Sequence, residues 1–319
     1  SAAQIKDSIA DKMIYKGIDL IIRQDYSNAR KHFTRIAEES PYLPLGYIYS
    51  AAVEIARSVD YEDEFNDKKI EFYIRKAESL SDSLLGTADN LEHNYYMALS
   101  KGYRAYYSAI KGSYVKAFSA GLESLKYYEK CLKFDKNFYE SYIAIGTYNY
   151  WKSQKTDMLN WLPFFDDKRE EGIKLLENAA DKRTHNNYLT LYSLAWIYIN
   201  KKEYSKTIKI TENILEDYPG SRFFMWVLAR AYEESNKKKA IALYKQIYDS
   251  YPPEAGDNII NRITLKHKIA MLEVSIGNKK EALSLCNDVL AIRINDDRIK
   301  EIISSRLSRV KELKEELTD

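Results

Sequence analysis

The stretch "LAWIYINKKEYSKTIKITENILEDYP", residues 194–219, holds the pattern on which the fold reading rests. Ala195 is a small residue inside an apolar run, and a polar turn follows it at Glu203-Tyr204. Thr207, Thr211 and Ile214 then stand at i, i+4 and i+7, on one stripe of a second helix, and Pro219 closes it. The stretch "GIDLIIRQDYSNARKHFTRIAEESP", residues 17–41, repeats the spacing with Gly17, Asp25-Tyr26, Ala29, Phe33, Ile36 and Pro41. A small residue where two helices cross lets their backbones approach closely, so the same helical hairpin is written twice.

A search for a fixed period extends the pattern along the chain. The small first-helix anchors are Gly17, Ala51, Gly102, Gly146, Ala195, Ala229 and Ala270; two of the intervals, 51−17 and 229−195, equal 34 residues. The second-helix triplets are Ala29/Phe33/Ile36, Ile70/Ile74/Ala77, Ser124/Tyr128/Cys131, Gly172/Leu176/Ala179, Thr207/Thr211/Ile214, Ala240/Tyr244/Ile247 and Ala282/Cys286/Val289. Closing prolines stand at Pro41, Pro219 and Pro252, and in the third repeat Gly112 competes with Gly102 for the anchor. This arrangement resembles the tetratricopeptide repeat. The resemblance implies an all-α, right-handed superhelical array of about seven hairpins, with a C-terminal capping helix.

On this reading residues 1–319 form one α-solenoid, regular over 1–43 and 187–254 and elongated or insert-bearing over 44–186, with the last repeat and capping helix at 255–319. "RSVDYEDEFNDK", residues 57–68, reads as an acidic inserted loop. "NWLPFF", residues 160–165, is an apolar wedge: Pro163 keeps it out of a helix interior, and Trp161, Leu162, Phe164 and Phe165 either fold back on a neighbouring repeat or stand exposed. Helix resumes at "DDKREEG", where Asp166 or Asp167 caps the free N–H groups. Near the C-terminus Ile299, Ile303, Leu307, Val310, Leu313 and Leu317 recur at helical spacing, as a cap for the last repeat or as a coiled-coil seam. A fainter resemblance, carried by "AIGTYNYWKSQKTDMLNWLPFFDDKREEGIKLLENA", is to the eukaryotic inclusion-body-clearance family of repeat proteins, and implies a lipid- or protein-handling adaptor.

Composition narrows the function. With 11 Gly and 6 Pro in 319 residues, a turn-rich β architecture is disfavoured. Lys+Arg 49 against Asp+Glu 47 gives no basic excess, so a nucleic-acid partner is not expected. Cys131 and Cys286 are the only cysteines, which leaves no disulfide framework and no cysteine zinc site. No apolar run is long enough to span a bilayer, although peripheral membrane contact stays open. The first residues lack a secretory core and an initiator Met; the compartment is left as cytoplasmic, or exported if a signal was removed.

No phosphate-binding glycine loop, nucleophile elbow or H-E-x-x-H is present. His32, His93, His185 and His267 are dispersed; Asp60, Glu62, Asp63, Glu64 and Asp67 read as a solvated loop before a cation site. No enzyme and no cofactor are expected.

The tetratricopeptide resemblance implies ligand contacts from the first helix of each hairpin, at fixed offsets from the anchor. Carried onto this chain, they fall on Leu99, Tyr103 and Tyr106; Ile143, Thr147 and Tyr150 beside Trp151; Tyr192, Trp196 and Ile199; and Trp226, Arg230 and Glu233. The expected groove therefore carries Tyr103, Tyr106, Tyr150, Trp151, Tyr192, Trp196, Trp226 and Arg230, rich in the residue types that dominate binding hot spots. The Lys/Asn/Arg clamp of the best-known peptide-binding members does not appear. The expected partner is a protein or extended peptide. Two alternatives stay open: an assembly subunit oligomerising through end units, one of which bears Ile14, Ile18, Ile21 and Ile22, and a lipid- or small-molecule-binding repeat protein with the Tyr/Trp cluster as its pocket.

Overall fold

A computed structural model describes residues 9–155, 167–252 and 258–318. All of its regular structure among these residues is helical. Seven hairpins follow one another: α1 (Ile9–Ile22) with α2 (Tyr26–Glu39), α3 (Pro44–Tyr61) with α4 (Asp67–Thr87), α5 (Leu91–Ile110) with α6 (Tyr114–Phe134), and α7 (Tyr139–Lys155) with α8 (Arg169–Ala180). Then come α9 (Asn187–Asn200) with α10 (Tyr204–Asp217), α11 (Arg222–Ser235) with α12 (Lys237–Asp249), and α13 (Ile259–Ser275) with α14 (Lys279–Leu290). A single last helix, α15 (Asp297–Thr318), packs on α13 and α14.

Local chemistry sets the helix ends. Side chains of Asp25, Asn66, Asn90 and Asn236 accept hydrogen bonds from the backbone N–H three residues on, each satisfying a donor that the first turn would leave unpaired. Several first helices end on a residue with left-handed backbone: Gln24, Gly112, Lys202 and Gly277. Gly112, at φ 73°, is thus the turn residue that follows α5, and the anchor of that repeat is Gly102, whose added Cβ would stand 3.3 Å from Ser124 Oγ on the partner helix.

The crossing residues are where the backbones meet. A Cβ on Gly17 would lie 2.2 Å from Phe33 Cζ, and one on Gly146 would lie 2.7 Å from the Gly172 carbonyl oxygen. Ala51, Ala195, Ala229 and Ala270 are fully buried. The second-helix triplets are buried throughout, except that Ile214 is half-buried. At the C-terminus Ile303 and Val310 are buried, with Ile299, Leu307, Leu313 and Leu317 packed on the same core as Ala282, Cys286 and Val289. The stripe on α15 therefore caps the last hairpin.

Two compact units are present: residues 1–58 with 64–197, and residues 59–63 with 198–319. The reading of residues 57–68 as an acidic loop needs correction. Residues up to Tyr61 continue α3, and Asp60 is buried in an ion pair with Arg222 inside the second unit. The added length lies mostly in helix: α3 to α6 run 18 to 21 residues, against 14 for α1, α2, α9, α10 and α11. At the other insert, α8 begins at Arg169, and Asp167 Oδ1 accepts from its backbone N–H at 3.0 Å. Trp161, Leu162, Phe164 and Phe165 lie outside the described residues.

Candidate binding surface

In the first compact unit, aromatic residues of the alternate helices α3, α5 and α9 meet one another. Tyr49 and Tyr95 are fully buried, and their hydroxyls stand 3.5 Å from the side-chain amide of Asn186. The same Asn186 donates from its backbone N–H (3.2 Å) and side-chain Nδ2 (2.9 Å) to Glu140, a carboxylate only 5% exposed. Among the described residues no cation lies within ion-pair distance of Glu140, and amide donors offset its desolvation. Burial first, and then the Glu140 charge, raise the pKa values of Tyr49, Tyr95 and Tyr128 well above the usual phenol range.

This polar centre was not anticipated, although a signal for part of it exists. Tyr95 and Tyr188 each stand seven residues before an anchor, Gly102 and Ala195. Glu140 and Asn186 carry no such signal.

Around the centre lie several of the expected groove residues. Tyr103 is half-buried and in electrostatic contact with Tyr188 and Tyr49; its ring stands 6.3 Å from that of Tyr49. Tyr192 and Trp196 are half-buried and meet edge to face at 6.2 Å. Tyr106 differs. It keeps 49% of its surface exposed, yet desolvation, with a smaller contribution from Tyr192, pushes its pKa up to about 12. Tyr150 is 1% exposed and packs edge to face against the half-buried Trp151 at 5.1 Å, which places Tyr150 in the core. Leu99 and Ile143 are likewise buried.

The second compact unit holds the remaining two. Trp226 is half-buried against the core, its ring 5.4 Å from Tyr244. Arg230 donates to Glu233 at 2.6 Å and to Glu234 at 3.3 Å, so its charge is largely answered on its own helix.

A separate cleft of about 580 Å³ opens between α4, α5 and α6. Most of its charges are paired: Arg104 with Glu78 and Glu71, Lys101 with Glu123 and Lys111 with Asp67. Among the described residues, no three of His, Cys, Asp and Glu converge as metal ligands, and no helix is long and apolar enough to cross a membrane. Ile14, Ile18, Ile21 and Ile22 are all buried in the first unit's own core.

Alternating hairpins with small residues at the crossings and a capped last repeat define a helical-repeat protein of the kind that generally serves as an interaction scaffold. The tetratricopeptide-repeat family pattern matches residues 189–221 and 225–253, from α9 to α12. Among solved structures, human IFIT1, as a dimer with PPP-AAAA, is similar at TM-score 0.54 and 16% identity, over 92% of this chain and 64% of that one. The C-terminal part of a repeat protein from Cytophaga hutchinsonii gives TM-score 0.43 at 17% identity, over 90% of this chain and 98% of that one. A tetratricopeptide repeat protein from Parabacteroides merdae gives 0.39 at 14% identity, over 97% and 98%. These likenesses are of fold. Comparison with curated protein sequences finds no match.

Proposed function

We propose that the chain acts by binding alone, as a scaffold whose α5–α9 aromatic wall takes a protein segment or extended peptide. Tyr106 carries this reading, being half exposed on a wall whose other tyrosines are tied to one another. Rigid aromatic side chains offer large contact area at low conformational cost, which suits them to equilibrium recognition. The balanced charge, a net +2 over the whole chain, supports a protein partner over a nucleic acid. The burial of the α1 isoleucines removes the feature that suggested assembly through the N-terminal hairpin.

The test is affinity capture from native extract with the parent chain, a Tyr106→Ser variant, and Phe72→Ser as a control. Phe72 is 56% exposed on α4, outside the wall. Loss of a protein from the Tyr106→Ser bait, with retention by the control, is the expected result. If all three baits hold the same proteins, the aromatic wall is not the binding surface.

A further inference from the structure

Two arginines of α15 stand on the second compact unit with no ion pair among the described residues. Counting from the anchors, His267 lies three residues before Ala270, as Trp226 lies before Ala229 and Tyr192 before Ala195. It therefore occupies, on α13, the position that the groove offsets mark in the other repeats. His267 is 3% exposed, and Arg306 Nη1 reaches its Nδ1 at 3.3 Å. A guanidinium only donates, so Nδ1 accepts and the ring is neutral, with its proton on Nε2. Burial first, then Arg306, Arg309 and Lys268, lower the His267 pKa to about 4, consistent with that tautomer.

Arg306 is half-buried, and His267 is its one hydrogen-bond partner among the described residues, whereas buried guanidiniums are normally ion-paired. Arg309, exposed one turn further along the same helix, adds like charge. The proton affinity of Arg306 falls through burial and then through Arg309. Glu62 acts on Arg306 at longer range, without an ion pair. Lys268 is taken by Glu233 at 2.8 Å. Near these arginines two apolar side chains stay exposed: Ile302, one turn before Arg306 (51%), and Met271, one turn after His267 (53%).

We propose that Arg306 and Arg309 form an anion subsite for a side-chain carboxylate of a bound peptide, one in which an acidic residue is flanked by apolar ones. The paired arginines supply charge-assisted hydrogen bonds, Ile302 and Met271 supply the apolar flanks, and neutral His267 holds Arg306 in place without competing for the anion. This rests on the reading that the first helices of the hairpins form the binding face.

The experiment is fluorescence anisotropy with a short fluorescein-labelled peptide of alternating glutamate and leucine, beside a control with glutamine in place of glutamate. The full chain should bind the acidic peptide roughly tenfold more tightly, a preference that added salt weakens. R306Q/R309Q should bind both peptides alike, with a thermal midpoint no lower than the parent's, because a repulsive pair has been removed. R309Q alone, which leaves the Arg306–His267 contact in place, should lose part of the preference. Equal binding of both peptides by the parent, or an undiminished preference in R306Q/R309Q, overturns the subsite. Should Tyr106→Ser and Trp226→Ala bind both peptides as the parent does while R306Q/R309Q has lost the preference, the subsite stands and the aromatic reading falls.

Discussion

Arg222 holds Asp60 across 162 residues of sequence, with Nε 2.9 Å from Oδ1 and Nη2 2.5 Å from Oδ2. Both side chains are almost fully buried, at 6% and 3% exposure. The guanidinium lies over the Tyr251 ring at 4.5 Å and donates to the Ser250 carbonyl at 3.0 Å. The Asp60 carbonyl accepts from Asn261 Nδ2 at 2.9 Å and from the Tyr251 hydroxyl at 3.2 Å. An acidic residue that the sequence places in a solvated loop thus becomes a buried anchor of the second compact unit.

Removing one partner leaves the other charge buried. Arg222→Ala is expected to cost about 3–5 kcal/mol in urea unfolding. Replacing both, as Asp60→Leu with Arg222→Met, should recover most of that loss, since desolvation offsets much of what a buried pair contributes. A double replacement as unstable as the single one would show that the pair does more than cancel its own burial.

The crossing glycines separate close approach from simple absence of a side chain. Gly146→Ala drives a Cβ to 2.7 Å from the Gly172 carbonyl oxygen, so α7 and α8 must move apart; the expected cost is about 1–3 kcal/mol. Gly121, inside α6, has its nearest neighbour for an added Cβ at 3.9 Å. Gly121→Ala should therefore stabilise by roughly 0.5–1 kcal/mol through helix propensity. Thermal denaturation of the two variants should shift in opposite directions.

His267 gives the second unit a pH dependence of definite sign. Its folded pKa, about 4, lies below the unfolded value near 6.5. Between those values the unfolded chain binds the proton and the folded chain does not. The stabilisation is complete above pH 6.5 and lost as pH falls toward 4. Between pH 7.5 and pH 5 the parent should lose about 2 kcal/mol more than a His267→Gln variant. Urea titrations at the two pH values measure the difference, and parallel losses in both proteins would count against it.

The buried tyrosines act at the other end of the scale. Tyr49, Tyr95 and Tyr128 have folded pKa values raised by burial and by the Glu140 charge. Their contribution is present below the unfolded phenol value near 10 and is lost as pH rises above it. Spectrophotometric titration should show these phenols ionising only together with alkaline unfolding, and Glu140→Gln should move that transition upward. Ionisation of the whole tyrosine complement before any loss of helical circular dichroism would contradict this.

Exposed apolar residues on α6 provide a check on the burial pattern. Val115 is 86% exposed and Phe118 58%. Replacing them together with Thr and Ser should change unfolding free energy by less than about 0.5 kcal/mol per site. A larger loss would mean that these side chains are covered.

The amino-acid sequence by itself determined the hairpins. Gly17, Ala51, Ala195 and their counterparts announce the crossings, and triplets such as Ala240/Tyr244/Ile247 announce the buried stripe, because both follow from the local geometry of a helix: 3.6 residues per turn and close approach only where side chains are small. Tertiary structure decided the fate of individual polar and aromatic groups. Tyr106 and Tyr150 occupy comparable expected groove positions, yet one keeps half its surface and the other loses all but 1%. Asp60 meets Arg222, and Glu140 meets Asn186, through contacts spanning 162 and 46 residues. Helical periodicity assigns a side chain to one face of its own helix. Which distant element covers that face, and whether it brings a donor, a charge or a ring, depends on how the elongated helices stack.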